Sequence, residues 1–170
     1  MNADSRRKKI IKTVTEHGAP LSASSLAKAL NVSRQIIVGD IALLRTQGYE
    51  IIATARGYVI PKFKDSSHYL GKALCRHAPE NTIYELYTIV DSGASVINVI
   101  VDHELYGEIT GSLNISNRDD VDAFIEKVKA SEAKLLSELT MGIHLHTIAC
   151  RDKIHFEQVH KSLKARGFTQ

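Results

Sequence analysis

The sequence predicts an α+β protein of two domains: a small, mainly helical domain over residues 1–62 and a larger domain over 63–170 with an antiparallel sheet. Apolar residues recur at helical spacing three times within residues 1–44, whereas helical and alternating patterns are mixed beyond residue 67. Residues 1–62 hold ten Lys/Arg against four Asp/Glu, and residues 63–170 hold twelve against fifteen. A polar stretch that begins with a proline, 61–67, lies near this change of charge and predicts the domain boundary.

The composition excludes several classes of protein. Of the 170 residues, 44% are hydrophobic and 24% are charged, as in ordinary globular chains. The sequence has no apolar run near the roughly 20 residues of a membrane-spanning helix and no signal-peptide core behind its basic start, so we expect a cytoplasmic protein. Cys75 and Cys150 lack the number and spacing of a disulfide framework or a structural zinc site. We expect both to be reduced and buried, with a minor thiolate role at a nearby histidine site as the alternative.

Residues 1–46 have the pattern of a helix-turn-helix. A first helix is expected to be capped near Asp4 or Ser5, a second begins at Ser22, and a third begins at Ser33 and runs through 34–44. Short breaks separate the three helices. Their apolar faces consist of Ile10, Ile11, Val14, Leu26, Ala27, Leu30, Ile37, Ile41 and Leu44.

The start of the third helix carries the residues that we expect to contact DNA. In a helix-turn-helix, the second helix of the motif enters the major groove with its leading end. Ser33, Arg34 and Gln35 stand at that end. An Arg fork can pair with guanine or phosphate, and a Gln amide can pair with adenine. Taken singly, these residues would equally suit a solvent-facing helix.

A hairpin directly after this helix has the position of a wing. Two short strands are expected over 50–54 and 57–60, and Arg56 at the tip is well placed to touch phosphate or the minor groove. The run Ser-Arg-Gln-x-x-x-x-Asp-Ile-x-x-Leu-Arg-x-x-Gly-Tyr-x-Ile, followed by Arg-Gly-Tyr, resembles the winged helix-turn-helix of biotin-operon repressors and related metabolite regulators. This resemblance implies that Asp40 and Leu44 support the domain interior.

The second domain reads as a mixture of helices and strands. Its order argues for an antiparallel sheet with helices on one face. The pattern predicts helices over 68–77, 119–130 and 154–166, and strands over 83–90, 96–101, 106–115 and 143–149.

A pair of histidines in this domain suggests a metal site. His144 and His146 lie on a predicted strand, where alternate side chains project to the same side, so both imidazoles can reach one ion. His77 and Glu85 could add a nitrogen and a carboxylate oxygen if their elements are neighbours. Alternatively, such histidines are surface or core residues with satisfied hydrogen bonds.

Several separated motifs beyond residue 66 together resemble the three-histidine (3H) domain. They are His77, Glu85, 88–91, 101–107 and 142–148. A 3H domain behind this winged helix resembles the niacin-responsive repressor (NiaR) family, which represses genes for NAD synthesis and for niacin transport or salvage. The resemblance implies a divalent transition metal held by His77, Glu85, His144 and His146, with nicotinic acid (or nicotinamide) as co-repressor. Imidazole ligands favour nickel, zinc, iron or manganese over magnesium or calcium.

Further expectations concern the effector and the oligomer. His103 and Tyr106 are expected to hold the far end of the ligand, although Glu104 between them adds an acid beside an anion site. One helix-turn-helix reads few base pairs, so a homodimer on a near-palindromic operator is expected. The alternatives are a regulator of another ligand or metal, a second domain that only dimerises, and a metal-dependent hydrolase. The hydrolase is disfavoured because the chain shows no second acid or base at a recognisable spacing.

Overall fold

The structure is a computed structural model that describes residues 2–60 and 68–170. These residues form two compact units, one in each range. The predicted domain boundary at residues 62 and 63 falls outside the described residues and stays a prediction. Within the described ranges, no helix is long and apolar enough to cross a lipid bilayer.

The N-terminal unit consists of three helices and a two-stranded hairpin. Its elements are α1 (Ala3–His17), α2 (Ala23–Leu30), α3 (Arg34–Thr46), β1 (Ile52–Thr54) and β2 (Gly57–Val59). As predicted, the hydroxyls of Ser22 and Ser33 cap α2 and α3, each accepting a hydrogen bond from the backbone N–H three residues on. The prediction for the cap of α1 was wrong by two or three residues: Asn2 is the cap, not Asp4 or Ser5. Asp4 instead lies in the first turn, where its charge complements the helix dipole.

Apolar side chains from all three helices form the core of this unit. The fully buried members include Ile10, Val14, Leu26, Ile37, Ile41 and Leu44. Asp40 is also buried, and it accepts hydrogen bonds from Arg6 Nε at 2.5 Å and Arg7 Nη1 at 3.3 Å. Asp40 therefore joins α3 to α1, which confirms its predicted role as an internal support.

The C-terminal unit is an antiparallel sheet with helices on one face, as predicted. Its elements are β3 (Tyr69–Arg76), α4 (Thr82–Asp91), β4 (Ser95–His103), β5 (Gly107–Ile115), α5 (Arg118–Ala130), β6 (Ile143–Cys150) and α6 (Lys153–Ala165), with short 3-10 turns at Pro79–Asn81 and Leu136–Thr140. The strand order is β3-β6-β4-β5, and every neighbouring pair is antiparallel. Leu86 of α4, Val121 of α5 and Leu163 of α6 share one core with Val96 and Ile148 of the sheet. The helices therefore cover the face on which Ile148 lies.

Two predicted elements of this unit were wrong. Residues 68–77 were expected to be helical, but they contain strand β3, in which small inward residues alternate with large outward ones. Gly71 is one of the inward residues, and a Cβ there would collide with the Phe156 ring of α6. Residues 83–90 were expected to be a strand because they are rich in β-branched and aromatic types, but they lie in helix α4. Their burial repeats at helical spacing, so packing against the sheet overrides local propensity.

Candidate functional site

A single carboxylate lies buried among three imidazoles at the centre of the C-terminal unit. Glu85 of α4 is 0% exposed. Its Oε2 lies 2.6 Å from His77 Nε2, and its Oε1 lies 3.1 Å from His144 Nε2 and 3.4 Å from His146 Nε2. The structure thus brings together all four residues that were predicted to bind a metal.

Three different elements position these side chains. Alternation along β6 directs both His144 and His146 to the face covered by helices, where each is 3% exposed. Glu85 lies on the buried side of α4, and His77 follows directly after β3. The turn before β6 passes very close to His77: a Cβ on Gly142 would come well inside 3.0 Å of the His77 carbonyl oxygen. Gly142 also has φ +87°, a conformation that favours glycine.

The second nitrogen of each imidazole is held by a backbone carbonyl. His77 Nδ1 lies 2.9 Å from Ala78 O, His144 Nδ1 lies 2.8 Å from Gly142 O, and His146 Nδ1 lies 2.8 Å from Asn98 O. Because a carbonyl only accepts, each Nδ1 must carry the proton. In the neutral rings, every Nε2 then presents a lone pair toward a carboxylate that is itself an acceptor.

Facing acceptors of this kind need a cation or added protons between them. Three imidazole nitrogens and one carboxylate form a donor set that suits a divalent transition metal. Metal-binding histidines typically donate their other N–H to a carbonyl or carboxylate, and all three rings do so here. The residues present therefore fit a metal ion.

In the metal-free protein, protons fill this role. Burial disfavours a charged imidazole, but the negative charge of Glu85 outweighs it and raises the pKa of both His77 and His146 above the ordinary 6.5. Burial also acts against the ionised form of Glu85. The charge of His146 and the hydrogen bonds of His144 and His77 outweigh that effect and hold the pKa of this carboxyl well below the ordinary 4.5. Protons on the histidines and a metal ion would therefore compete for the same nitrogens.

Cys75 is a neighbour of this cluster. Its Sγ and the nearest ligand atoms of Glu85 and His144 lie within 4.8 Å of one another. Burial, followed by the charge of Glu85, strongly raises the pKa of this thiol, so the uncharged form dominates in the metal-free protein. Both Cys75 and Cys150 are free and buried, which confirms the expectation for them.

A small cavity adjoins the cluster, and two of its lining residues have unpartnered polar atoms. Its volume is about 30 Å³, and Glu85, His144 and His146 line one side of it. Thr82, on the same buried side of α4 as Glu85, also lines it. In the described part of the chain, Thr82 Oγ1 and His146 Nε2 are buried without a hydrogen-bond partner; the 3.4 Å contact between His146 Nε2 and Glu85 Oε1 is an ion-pair distance without hydrogen-bond geometry. Sequence reasoning missed Thr82, and its only signal there is a helical spacing of three residues from Glu85.

The structure places the two predicted effector residues elsewhere. His103 ends β4 and Tyr106 stands in the following turn, where their rings stack with centroids 5.2 Å apart. His103 Nδ1 accepts from the backbone N–H groups of Leu105 and Tyr106, and Tyr106 is 74% exposed. Neither residue lines the cavity beside Glu85. Their contact with an effector stays a prediction.

The predicted DNA-contacting residues lie on the exposed parts of the N-terminal unit. Ser33 caps α3, and Arg34 and Gln35 are exposed in its first turn. Arg56 is exposed in the turn between β1 and β2. This is the arrangement of a helix-turn-helix with a wing, whose leading helix end is free to enter a groove.

The comparisons with known proteins agree with this division of the chain. An HTH domain matches residues 6–59, and the 3H domain matches residues 71–170. The chain is 38% identical to "Transcription repressor NadR" of Bacillus subtilis, over 95% of this chain and 91% of that protein. It is 39% identical to "Probable transcription repressor NiaR" of Thermotoga maritima, over 96% and 92% of the two chains.

The fold and these matches define a DNA-binding transcription repressor that carries a 3H domain after its HTH domain. The chain belongs to the NadR/NiaR family of transcription repressors and itself joins an HTH domain to a 3H domain. The expectation of a regulator, in preference to a hydrolase, agrees with the repressor names of both relatives.

Proposed function

We propose that this repressor senses nicotinic acid through a metal-loaded 3H domain and silences genes of NAD synthesis and of niacin transport or salvage. Nicotinic acid would act as co-repressor, and nicotinamide is the related compound to compare with it. The repressor would bind its operator as a homodimer in the cytoplasm. The name of the NiaR relative and the resemblance of the motifs support the niacin assignment.

The main support for the metal proposal is that three imidazole nitrogens point their lone pairs at one buried carboxylate. Three Nε2 atoms whose Nδ1 partners are already fixed by carbonyls face the 0% exposed carboxylate of Glu85. A structural cluster of this size would be expected to satisfy its own polar atoms, yet His146 Nε2 has no hydrogen bond among the described residues. The metal would be nickel, zinc, iron or manganese.

Backbone carbonyls and one carboxylate of the chain would fix the orientation of the metal-binding side chains. The carbonyls of Ala78, Gly142 and Asn98 fix the three rings with Nε2 inward, and Glu85 supplies the negative charge. His77, Glu85, His144 and His146 would hold the metal, which would satisfy these acceptors and supply Lewis-acid affinity for a pyridine nitrogen or a carboxylate. Coupling of this event to DNA affinity would be on the order of 1–3 kcal/mol, or roughly 5–150-fold, as in ordinary allosteric linkage.

Removal of two ligands from one strand tests this proposal. His144→Ala with His146→Ala should lower the metal content of the purified full chain and abolish the nicotinate response, while basal DNA binding survives. His160→Ala is the matched control, because His160 lies on α6 outside the Glu85 cluster. Metal content is measured by mass spectrometry, and operator affinity by fluorescence anisotropy. Equal metal content in the double variant and the control would contradict the proposed site.

A regulator of a different small ligand or of the metal itself is the second candidate. It keeps the metal site and the repressor class but removes niacin. Operator affinity that responds to metal and chelator, but to neither nicotinate nor nicotinamide, would favour it.

A further inference from the structure

The cavity beside Glu85 is lined by both polar and apolar residues. Its polar residues include Thr82 and His146, whose Oγ1 and Nε2 atoms are buried without a hydrogen-bond partner. The remaining wall consists of Leu86, Val99, Leu113, Phe124, Leu135 and Leu136, with Ser137. Buried polar atoms without partners are rare in proteins and generally mark a place for a bound group. Two of them on one small cavity indicate a ligand that reaches both.

We propose that Thr82 is an effector-contacting residue: its hydroxyl donates a hydrogen bond to the ligand atom that occupies the cavity next to His146. This assignment rests on the proposed function. An aromatic carboxylic acid matches the walls, because a carboxylate oxygen would accept from the hydroxyl while the ring lies against leucine and phenylalanine. The empty space of about 30 Å³ suits little more than one water molecule.

Binding of a whole ring requires the cover of the cavity to move. That cover is the segment Leu135–Met141, whose Leu135 and Leu136 line the wall. Its hydrogen bonds run to its own neighbours, from Glu138 N to Leu135 O, from Gly142 N to Ser137 O and from Thr140 Oγ1 to Ile143 O. Two of these bonds join the segment to Gly142 and to the first residue of β6, so its movement would pivot about that junction.

The test separates the hydroxyl from the shape of the side chain. Thr82→Val removes only the hydroxyl, Thr82→Ser keeps it, and Thr88→Val is the matched control. Thr88 is also buried on α4, but its hydroxyl already donates to Tyr84 O at 2.7 Å. Nicotinate affinity of the metal-loaded full chain is measured by calorimetry, together with metal content and thermal unfolding without effector.

Thr82→Val should weaken nicotinate binding about 10- to 100-fold, the usual loss for a hydrogen bond to a charged group, with metal content unchanged. Thr82→Ser should stay near wild type. Without effector, Thr82→Val should unfold at the same temperature or higher, because an unsatisfied buried hydroxyl is gone, whereas Thr88→Val should unfold lower. Wild-type affinity in Thr82→Val would overturn the assignment of Thr82 alone. Absence of nicotinate binding in the wild type would overturn both this assignment and the niacin proposal.

The opposite face of the sheet carries exposed side chains on both of its edge strands, and its charges are arranged in a self-complementary way. Leu70 and Leu74 of β3 are 61% and 56% exposed on this face. The register aligns two rows across the four strands: Lys72–Thr147–Asn98–Ser112 and Leu74–Leu145–Ile100–Thr110. Two residues beyond the second row, Arg76 ends β3 at one edge of the sheet. At the same level, Asp102 of β4 pairs with Glu108 of β5 at the other edge. The face thus has Lys72 and Arg76 beside two exposed leucines on its β3 edge, and an acidic pair at its β4–β5 edge.

We infer that a second copy of this chain covers that face, related by a two-fold axis parallel to the strands. Such an axis places β3 of each subunit over β5 of the other. Residues of one cross-strand row in one subunit then face the same row in the partner. Arg76 then meets the partner's Glu108, and the exposed Leu74 meets the partner's Thr110, each contact occurring twice. Four strands about 4.8 Å apart and about 27 Å long offer roughly 500 Å² per subunit, so the pair reaches the roughly 1,000 Å² expected of a specific interface. This names the interface of the proposed dimer.

A charge swap tests the pairing. Arg76→Glu and Glu108→Arg should each shift the sedimentation equilibrium of the full chain about tenfold toward monomer, and the double variant should restore the dimer. Lys127→Glu is the control, because this exposed residue lies on α5, on the helical side. A dimer unaffected by either single reversal would overturn this interface but leave the dimer itself. A wild type that sediments only as a monomer, with and without operator DNA, would overturn both.

Discussion

Gly142→Ala should damage the Glu85 cluster without altering any of its side chains. Gly142 has φ +87°, and a Cβ there would come well inside 3.0 Å of the His77 carbonyl oxygen, closer than real Cβ atoms come. The positive φ alone costs about 1–2 kcal/mol for alanine. In addition, the backbone of His77 or of the turn must move by about 1 Å to reach an ordinary contact of 3.4 Å.

That movement acts on two supports of the cluster. It shifts His77, whose Nε2 lies 2.6 Å from Glu85, and it turns the Gly142 carbonyl that fixes His144 Nδ1. Loss of such supporting bonds typically weakens metal binding about 10- to 100-fold. We expect the total loss of unfolding free energy in Gly142→Ala to be about 2–4 kcal/mol.

Gly107→Ala separates backbone strain from the clash. Gly107 also has a positive φ, +70°, but nothing lies within 4 Å of its added Cβ. It should lose only the roughly 1–2 kcal/mol of strain and bind metal normally. Urea unfolding in chelator gives the stabilities, and titration with Zn²⁺ gives the affinities. If Gly142→Ala matches Gly107→Ala in both measurements, the close approach to His77 does not support the site.

Other parts of the chain yield further predictions. Arg34→Ala with Gln35→Ala should abolish specific operator binding but leave metal content intact, because these exposed residues lead α3; an unchanged DNase footprint would exclude α3 as the reading helix. Asp40→Asn should lower the thermal stability of the N-terminal unit by weakening its bond to Arg6, and an unchanged melting temperature would show that the bond contributes little. Without metal, stability should fall as pH drops below the ordinary 4.5 of Glu85 through its lowered pKa, and fall again as pH rises above 6.5 through the raised histidine pKa values. Added metal should remove the loss at high pH, and a urea series at several pH values that shows no such difference would contradict the proton–metal competition.

Local signals in the N-terminal unit were sufficient to predict it. Ser22 and Ser33 cap their helices through their own hydroxyls, and the apolar spacing of Ile37, Ile41 and Leu44 depends on a single helix. The hairpin also follows from short-range turn chemistry. Only the start of α1 differed, because Asn2 and Ser5 are both good capping types within one turn.

The C-terminal unit depended more on contacts distant in sequence. The four clustered residues were predicted from motif order, although β3 was mistaken for a helix and α4 for a strand. The outward leucines of β3 obscured its alternation, since its inward positions hold small residues such as Gly71 and Ala73. Thr82 could not be found from sequence, because an unpartnered hydroxyl is a property of the packed cavity and not of the residue type.

Operator affinity of the full chain under defined metal and effector conditions is the most direct test of the regulatory account. Fluorescence anisotropy would follow binding to operator DNA from the organism's own NAD or niacin-transport genes, titrated with nicotinate and with nicotinamide, with and without chelator. The account predicts roughly 5–150-fold tighter binding with nicotinate and metal together, and loss of this gain on chelation. An operator affinity that neither compound changes in the metal-loaded protein would contradict the niacin assignment.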